Sequence, residues 1–205
     1  MSNIKGLHNL YRAEPTTETA SEVMGKIDQM VDNMSVTIQD LNLILNMALG
    51  QQLSREKVNL VDLTEKQLQN LQANIMLRNA KIEQDLQVRE LLAPKVYMES
   101  ILHNLLSNAL KYSADDRTPL IRIGTWQQGP HLYLRVSDNG MGMDMAKVGN
   151  KLFGLYKTFH RNRDSKGMGL YLTKMQVESL GGEIAVESVP DRGTTFTVKL
   201  PVARE

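Results

Sequence analysis

Asn104, Asn108 and Lys111 recur at spacings of four and three within Asn-Leu-Leu-Ser-Asn-Ala-Leu-Lys-Tyr. On a helix they share one face. Two carboxamide oxygens a turn apart, followed by an amine, suit a hydrated Mg²⁺ and a phosphate, because magnesium keeps several waters and takes few protein ligands. Asparagines that only cap the helix or face solvent would show the same spacing, so this motif alone decides nothing.

A second group is Asp138-Asn139-Gly140-Met141-Gly142-Met143, directly after a strand-like run. A carboxylate at a strand end can accept from an exocyclic amine, and the glycines let backbone approach a flat base. A plain Asp-Asn-Gly turn is the competing reading, and the spacing does not fit an EF-hand loop. A third group, Lys166-Gly167-Met168-Gly169-Leu170, opens a helix. Glycine frees the N–H groups at a helix start to meet phosphate, although it matches neither a Walker nor a Rossmann pattern. Before it, residues 147–166 carry Lys147, Lys151, Lys157, Arg161, Arg163 and Lys166 against Asp164 alone. This stretch reads as a solvated loop or a phosphate-facing lid, and loops of that length in compact domains tend to be functional.

These residues need elements to hold them. Pro94, suited to a first helical turn, opens a helix through Met98, Ile101, Leu102, Leu105, Leu106 and Ala109. Upstream, Leu60, Leu63, Leu68, Leu71, Ile75 and Leu77 mark an amphipathic helix, and Lys81–Leu92 reads as short strands. Residues 120–127 and 131–137 alternate across Gln128-Gly129-Pro130, and residues 183–188 and 194–200 across Pro190-Asp191-Arg192-Gly193. Both pairs read as hairpins. Between them, residues 170–180 are helical and end at Gly181-Gly182. The fold class is α+β, helices covering one face of a mixed, mostly antiparallel sheet. At the front, Val23, Ile27, Met30, Met34, Ile38, Leu41, Leu45 and Ala48 lay one apolar stripe along a helix. Such a seam wants a partner. The expected division is a helical segment at residues 1–54 and the α+β domain at 55–205.

Composition bounds the rest. The chain has 205 residues, 24 Lys+Arg against 23 Asp+Glu, and a net charge of +1. That argues against a nucleic-acid partner recognised through bulk charge. Zero cysteines exclude disulfides, thiolate-bound zinc and a thiol nucleophile. No apolar run approaches the ~20 residues of a membrane helix, so no membrane contact is expected from this segment. A cytoplasmic location is expected, whether or not a larger parent protein is anchored.

In their order, the motifs resemble the N, G1 and G2 boxes of the ATP-binding domain of bacterial sensor histidine kinases. That domain is shared with type II topoisomerases and mismatch-repair ATPases. Leu152-Phe153-Gly-Leu-Tyr156-Lys157-Thr-Phe159-His160 resembles the F box, and Gly193-Thr194-Thr195-Phe196 the last glycine box. The resemblance covers residues 58–202 and implies an α/β sandwich with an ATP–Mg²⁺ site. Asn104 and Asn108 would then hold the metal and phosphates, Lys111 a phosphate, and Tyr112 the nucleotide's flank. Asp138 would bind the adenine amine, with Gly140 and Gly142 lining the base. Lys157, Gly167, Met168, Gly169, Leu170 and Thr195 complete the implied ATP contacts. Ser165 stands where the G2 box often has its first glycine, and Thr158 where many F boxes carry arginine. Lys157 or Arg161 could substitute there.

Residues 19–50 resemble the second helix of the family's dimerisation and phosphotransfer hairpin, and residues 2–7 the stretch just after its H box. The H box itself is absent, and His8, His103, His131 and His160 do not match it. The resemblance therefore implies the catalytic part of an ATP-dependent histidine kinase. Its partners would be a response-regulator receiver domain and, through the hairpin, a second copy. This chain is not expected to phosphorylate itself. Water-activating relatives place a glutamate four residues before the metal-binding asparagine, as general base. Asn104 stands there, which favours kinase over hydrolase. The alternatives are a serine kinase of the anti-sigma-factor type, which has no preceding hairpin, and a non-catalytic nucleotide-binding or dimerisation module.

Overall fold

The computed structural model describes residues 53–154 and 168–202, and the helical positions Val23, Met24, Ile27, Val31, Ile38, Asn42 and Leu45. The chain divides into two compact units, Met1–Gln51 and Gln52–Glu205. In the first, Val23 is buried. Met24, Val31, Ile38 and Leu45, seven residues apart, are each more than half exposed.

The second unit starts with β1 (Glu56–Asn59), α1 (Leu60–Asn70) and α2 (Gln72–Leu77), then β2 (Lys81–Leu86) and β3 (Glu90–Ala93). The Asn59 side chain accepts from the N–H groups of Val61 and Asp62, which fixes where α1 begins. The long α3 (Lys95–Lys111) follows Pro94. Next come the hairpin β4 (Leu120–Gln128) and β5 (His131–Asp138), the single turn α4 (Met145–Val148), α5 (Gly169–Ser179), and the hairpin β6 (Glu183–Val189) and β7 (Gly193–Pro201).

Five strands form the main sheet in the order β2-β4-β5-β7-β6. The β2–β4 pair is parallel and the other three pairs are antiparallel. β1 and β3 form a separate antiparallel pair. Alternation decides the inner face: Ile121, Ile123, Leu132, Leu134, Val136, Phe196, Val198 and Leu200 are buried, as are Met98, Ile101, Leu102, Leu105 and Leu106 of α3 and Leu172 of α5. On the other face of the sheet, Trp126 stacks on Tyr133 with Arg135 over its ring. This is the expected α+β architecture, with helices on one side of a mostly antiparallel sheet. The parallel β2–β4 pairing and the β1–β3 pair go beyond the sequence reading.

Candidate functional site

The polar face of α3 is set by what its other faces bury. Leu105, Leu106, Ala109 and Leu110 are buried, leaving Asn104, Ser107, Asn108 and Lys111 half-exposed along one side. Asn104 reaches across to α5: its Nδ2 donates to Gly169 O and to Thr173 Oγ1, each at 3.4 Å. Thr173, fully buried, donates to Gly169 O at 2.9 Å. A Cβ on Gly169 would stand 3.0 Å from Asn104 Oδ1. A side chain there would press on the Asn104 carboxamide, which would have to give by a few tenths of an ångström. Among the described residues no side chain caps the start of α5, and the N–H groups of such a first turn suit an anion. Met168 is buried beneath it, and Leu170 lies half-exposed in that turn. No hydrogen bond engages the Asn108 carboxamide among the described residues.

The C-terminal end of α3 meets the second motif. Met141 N donates to Tyr112 O at 2.9 Å, so the helix terminus holds the turn that follows β5. In that turn, Asp138 Oδ1 accepts from Gly140 N at 2.8 Å and from Thr194 N at 3.2 Å. Both bonds fall on one oxygen, and among the described residues nothing donates to Oδ2. Burial lifts the Asp138 carboxyl to about 6, against the opposing pull of the two N–H donors. A carboxylate held high by desolvation, with one oxygen unused, is a mark of a functional site.

Gly140 and Gly142 are buried in this turn, and their missing side chains are accounted for by protein. A Cβ on Gly140 would strike Tyr112 O, and one on Gly142 (φ +62°) would strike Val189 O. The sequence reading gave both glycines to close approach of a base; backbone packing alone already requires them. Gly193, at φ +117°, packs the same way against Asp138 O. The β6–β7 turn is tied in further, since Asp191 N donates to Met141 O at 2.7 Å and Met143 N to Ser188 Oγ at 2.8 Å.

Thr195, named from the last glycine box, pairs with Ser137 and points to the other face of the sheet. Its neighbour Thr194 is the buried one, bonded through N to Asp138 and through Oγ1 to Ser188 Oγ at 2.9 Å. The β-strand alternation carried that signal, since Thr194 shares parity with Phe196, Val198 and Leu200. The sequence reading also passed over Thr173, Ser188 and Arg117. Lys111 Nζ lies 6.0 Å from the centre of the Tyr112 ring. Lys157 and Gly167, with Arg161 and Lys166, lie outside the described residues, as does His8.

Two clusters thus stand at the ends of one helix segment. Asn104 and Tyr112 are eight residues apart, about 12 Å of helix rise. Among the described residues, a carboxylate oxygen with no donor marks one end and an uncapped helix start the other, a spacing suited to a base and its phosphates. An α/β sandwich holding such a pair defines a nucleotide-binding ATPase domain. The chain belongs to the histidine kinase-, DNA gyrase B- and HSP90-like ATPase family, which matches residues 95–204, and within it to the sensor histidine kinases.

Its relatives carry that placement. The chain is 31% identical over 195 residues to the circadian input-output histidine kinase CikA of Synechococcus elongatus, covering 91% of this chain and 26% of CikA. It is 33% identical over 156 residues to the sensor protein BceS of Bacillus subtilis, covering 75% of this chain and 46% of BceS. The chain thus spans between a quarter and a half of the length of these curated relatives. In fold it is similar to the histidine kinase AdeS of Acinetobacter baumannii, with TM-score 0.76 and 18% identity over 99% of this chain and 95% of that one. It is also similar to full-length ShkA in complex with AMPPNP, with TM-score 0.72 and 18% identity over 98% of this chain and 42% of ShkA.

Proposed function

We propose that this chain binds Mg²⁺–ATP and passes its γ-phosphoryl group to a histidine on a dimerisation helix, as the catalytic part of a two-component sensor kinase. The observation that carries this reading is the pairing along α3 of the half-engaged Asp138 carboxylate with the uncapped start of α5. Asp138 Oδ2 accepts from the adenine amine, and the first turn of α5, with Gly169 and Leu170, donates to phosphate. Gly140 and Gly142 shape the turn that bears Asp138, and Thr194 holds its other oxygen. Lys111 and Tyr112 flank the nucleotide between the two ends. Lys157, Gly167 and Met168 are assigned to the phosphates with Thr195 in the last glycine box, on the resemblance alone for Lys157 and Gly167.

The donor set fits magnesium. It is a hard ion that takes oxygen ligands and retains water, and Asn108 offers a carboxamide oxygen with no competing bond among the described residues. Asn104 keeps its Oδ1, because its bonds to α5 use Nδ2. No cluster of three or more His, Cys, Asp or Glu stands among the described residues to draw a transition metal instead. Bound there, the ion would neutralise charge on the transferring phosphoryl group. The protein's own part is positioning: α3 holds the base end and the phosphate end at fixed separation.

The relatives being sensor kinases supports a histidine acceptor over the serine of an anti-sigma-factor-type kinase. A response-regulator receiver domain is then the next acceptor. The exposed heptad Met24, Val31, Ile38 and Leu45 supports pairing of residues 1–54 with a second copy. No described helix is long and apolar enough to cross a membrane, and a cytoplasmic site of action is proposed. Among the described histidines, His103 is on α3 with Nδ1 3.2 Å from Gln67 Oε1, and His131 opens β5. Neither is on a dimerisation helix. The test is γ-labelled ATP given with and without a separate hairpin bearing the acceptor histidine. Acid-labile label on the hairpin only is expected; label on the chain alone, or on neither, would overturn the assignment.

A further inference from the structure

Arg117 belongs to no motif and lies in the connection between α3 and β4. Its Nε donates to Asn139 O at 2.8 Å and its Nη2 to Gly140 O at 3.2 Å. The carbonyl of Asn139 and the N–H of Gly140 form one peptide unit, and that N–H donates to Asp138 Oδ1 at 2.8 Å. A single peptide dipole therefore lies between a guanidinium and a carboxylate, oxygen toward the cation and hydrogen toward the anion. Asn139 clamps the same turn from its side chain, accepting from Leu120 N at 2.8 Å and donating to Thr118 O at 3.0 Å.

We propose that Arg117 is a positioning residue for nucleotide binding, holding the Asn139–Gly140 peptide so that its N–H stays on Asp138 and favours the ionised carboxylate. The inference rests on the reading of Asp138 as the adenine acceptor. Hydrogen bonds in a chain polarise one another, so a cation on the carbonyl strengthens the N–H donor at the far end. Arginine suits the task because its planar fork meets two successive carbonyls, which the point charge of lysine does not.

No charged side chain contacts the Asp138 carboxylate among the described residues. The charged groups on the surrounding elements are Lys111 at the end of α3, Asp115 and Asp116 beside Arg117, Asp144 and Lys147 at α4, and Asp191 and Arg192 in the β6–β7 turn. Asp115 pairs with Arg78, Asp144 with Lys147, and Asp116 with Arg117 itself at 3.6 Å. Arg117 is joined to Asp138 through a continuous hydrogen-bond path across the Asn139–Gly140 peptide.

The test compares Arg117→Gln and Arg117→Lys with the parent chain. First, the Asp138 carboxyl is titrated by ¹³C NMR without nucleotide. The Gln variant is expected to titrate about 0.3–1 pH unit higher, and the Lys variant to lie between it and the parent. Second, Mg²⁺–ATP affinity is measured at pH 5.5 and pH 8. The loss in Arg117→Gln should be about two- to eightfold greater at pH 5.5, the same shift at tenfold per pH unit. An unchanged titration midpoint with equal loss at both pH values would make Arg117 a structural tie only and overturn the proposal. If Arg117→Gln does not fold, the midpoint of the Lys variant decides on the same terms. Failure of the underlying reading is separate: Asp138→Asn would then bind ATP as the parent does, whatever the NMR titration shows.

Discussion

Replacing Asp138 with asparagine should move stability and binding in opposite directions. Burial raises this carboxyl from its ordinary 3.8 to about 6. Its native pKa lies above its unfolded one, so the native state holds the proton more tightly. Below pH 3.8 both states are protonated and no cost appears. As pH rises through 6 the native group must ionise in its buried place, and stability falls by about 3 kcal/mol in all. Asparagine keeps an oxygen for Gly140 N and Thr194 N and never ionises. At pH 7.5 the variant should therefore be the more stable by up to about 3 kcal/mol, or several degrees in Tm, with the gain vanishing near pH 4.

Binding should go the other way. With its oxygen on the two N–H groups, the asparagine presents NH₂ where Oδ2 stood, facing the adenine amine donor to donor. Losing a hydrogen bond to a charged group costs about 1.5–3 kcal/mol, roughly a 10- to 150-fold rise in Kd. In the parent, ATP affinity should also fall about tenfold per pH unit below 6, because only the carboxylate accepts. Thermal melts and calorimetry from pH 4 to 8.5 read both effects. A variant that loses stability and affinity together would refute the reasoning, since the carboxylate would then be structural. Equal affinity of the parent for ATP and GTP would remove the adenine assignment.

Gln176, fully buried with neither amide atom partnered among the described residues, should give about 1–3 kcal/mol of stability on Gln176→Met, seen as a higher urea midpoint at unchanged slope. Gly169→Ala puts a methyl 3.0 Å from Asn104 Oδ1; it should weaken Mg²⁺–ATP binding by about tenfold or more with little loss of fold, and calorimetry beside a melt separates the two. Asn108→Ala should leave the melt within about 0.5 kcal/mol of the parent, because the side chain is half-exposed and makes no hydrogen bond among the described residues, yet remove the Mg²⁺ dependence of ATP binding; an unfolded variant would make Asn108 structural.

What the sequence disclosed followed from local chemistry. The β4–β5 hairpin was legible because Gly129, at φ +58°, and Pro130 leave no other course between two alternating runs. The end of α5 was legible because Gly181, at φ +76°, stops the helix. Pairing across distance was not. Nothing local tells Lys81–Leu86 to lie parallel to β4, for that choice depends on which sheet edge is open once the hairpins close. The site divided along the same line. Asn104, Asn108, Asp138 and the glycines announce themselves by spacing, whereas Arg117 acts on carbonyl oxygens, which every residue has and no motif records. The glycine box names Thr195 by position, whereas strand parity puts its neighbour Thr194, which bonds Asp138, on the opposite face of β7.

The tie between Asn104 and α5 bears on what happens to the terminal phosphate. Its Nδ2 meets a carbonyl, Gly169 O, and a hydroxyl, Thr173 Oγ1, whose proton is already given to that same carbonyl. Both are acceptors facing it, so the position needs a donor. A glutamate there would set a carboxylate against a carbonyl and a committed hydroxyl, with repulsion where the amide has two bonds. The amide therefore suits this helix contact better than a carboxylate base would, unless the Thr173 hydroxyl turned to donate to it. On the proposed reading, the residue that would activate water has become the residue that aligns the phosphate-binding turn. The γ-phosphoryl group then has no carboxylate base at this position to activate water, which leaves it for a protein nucleophile.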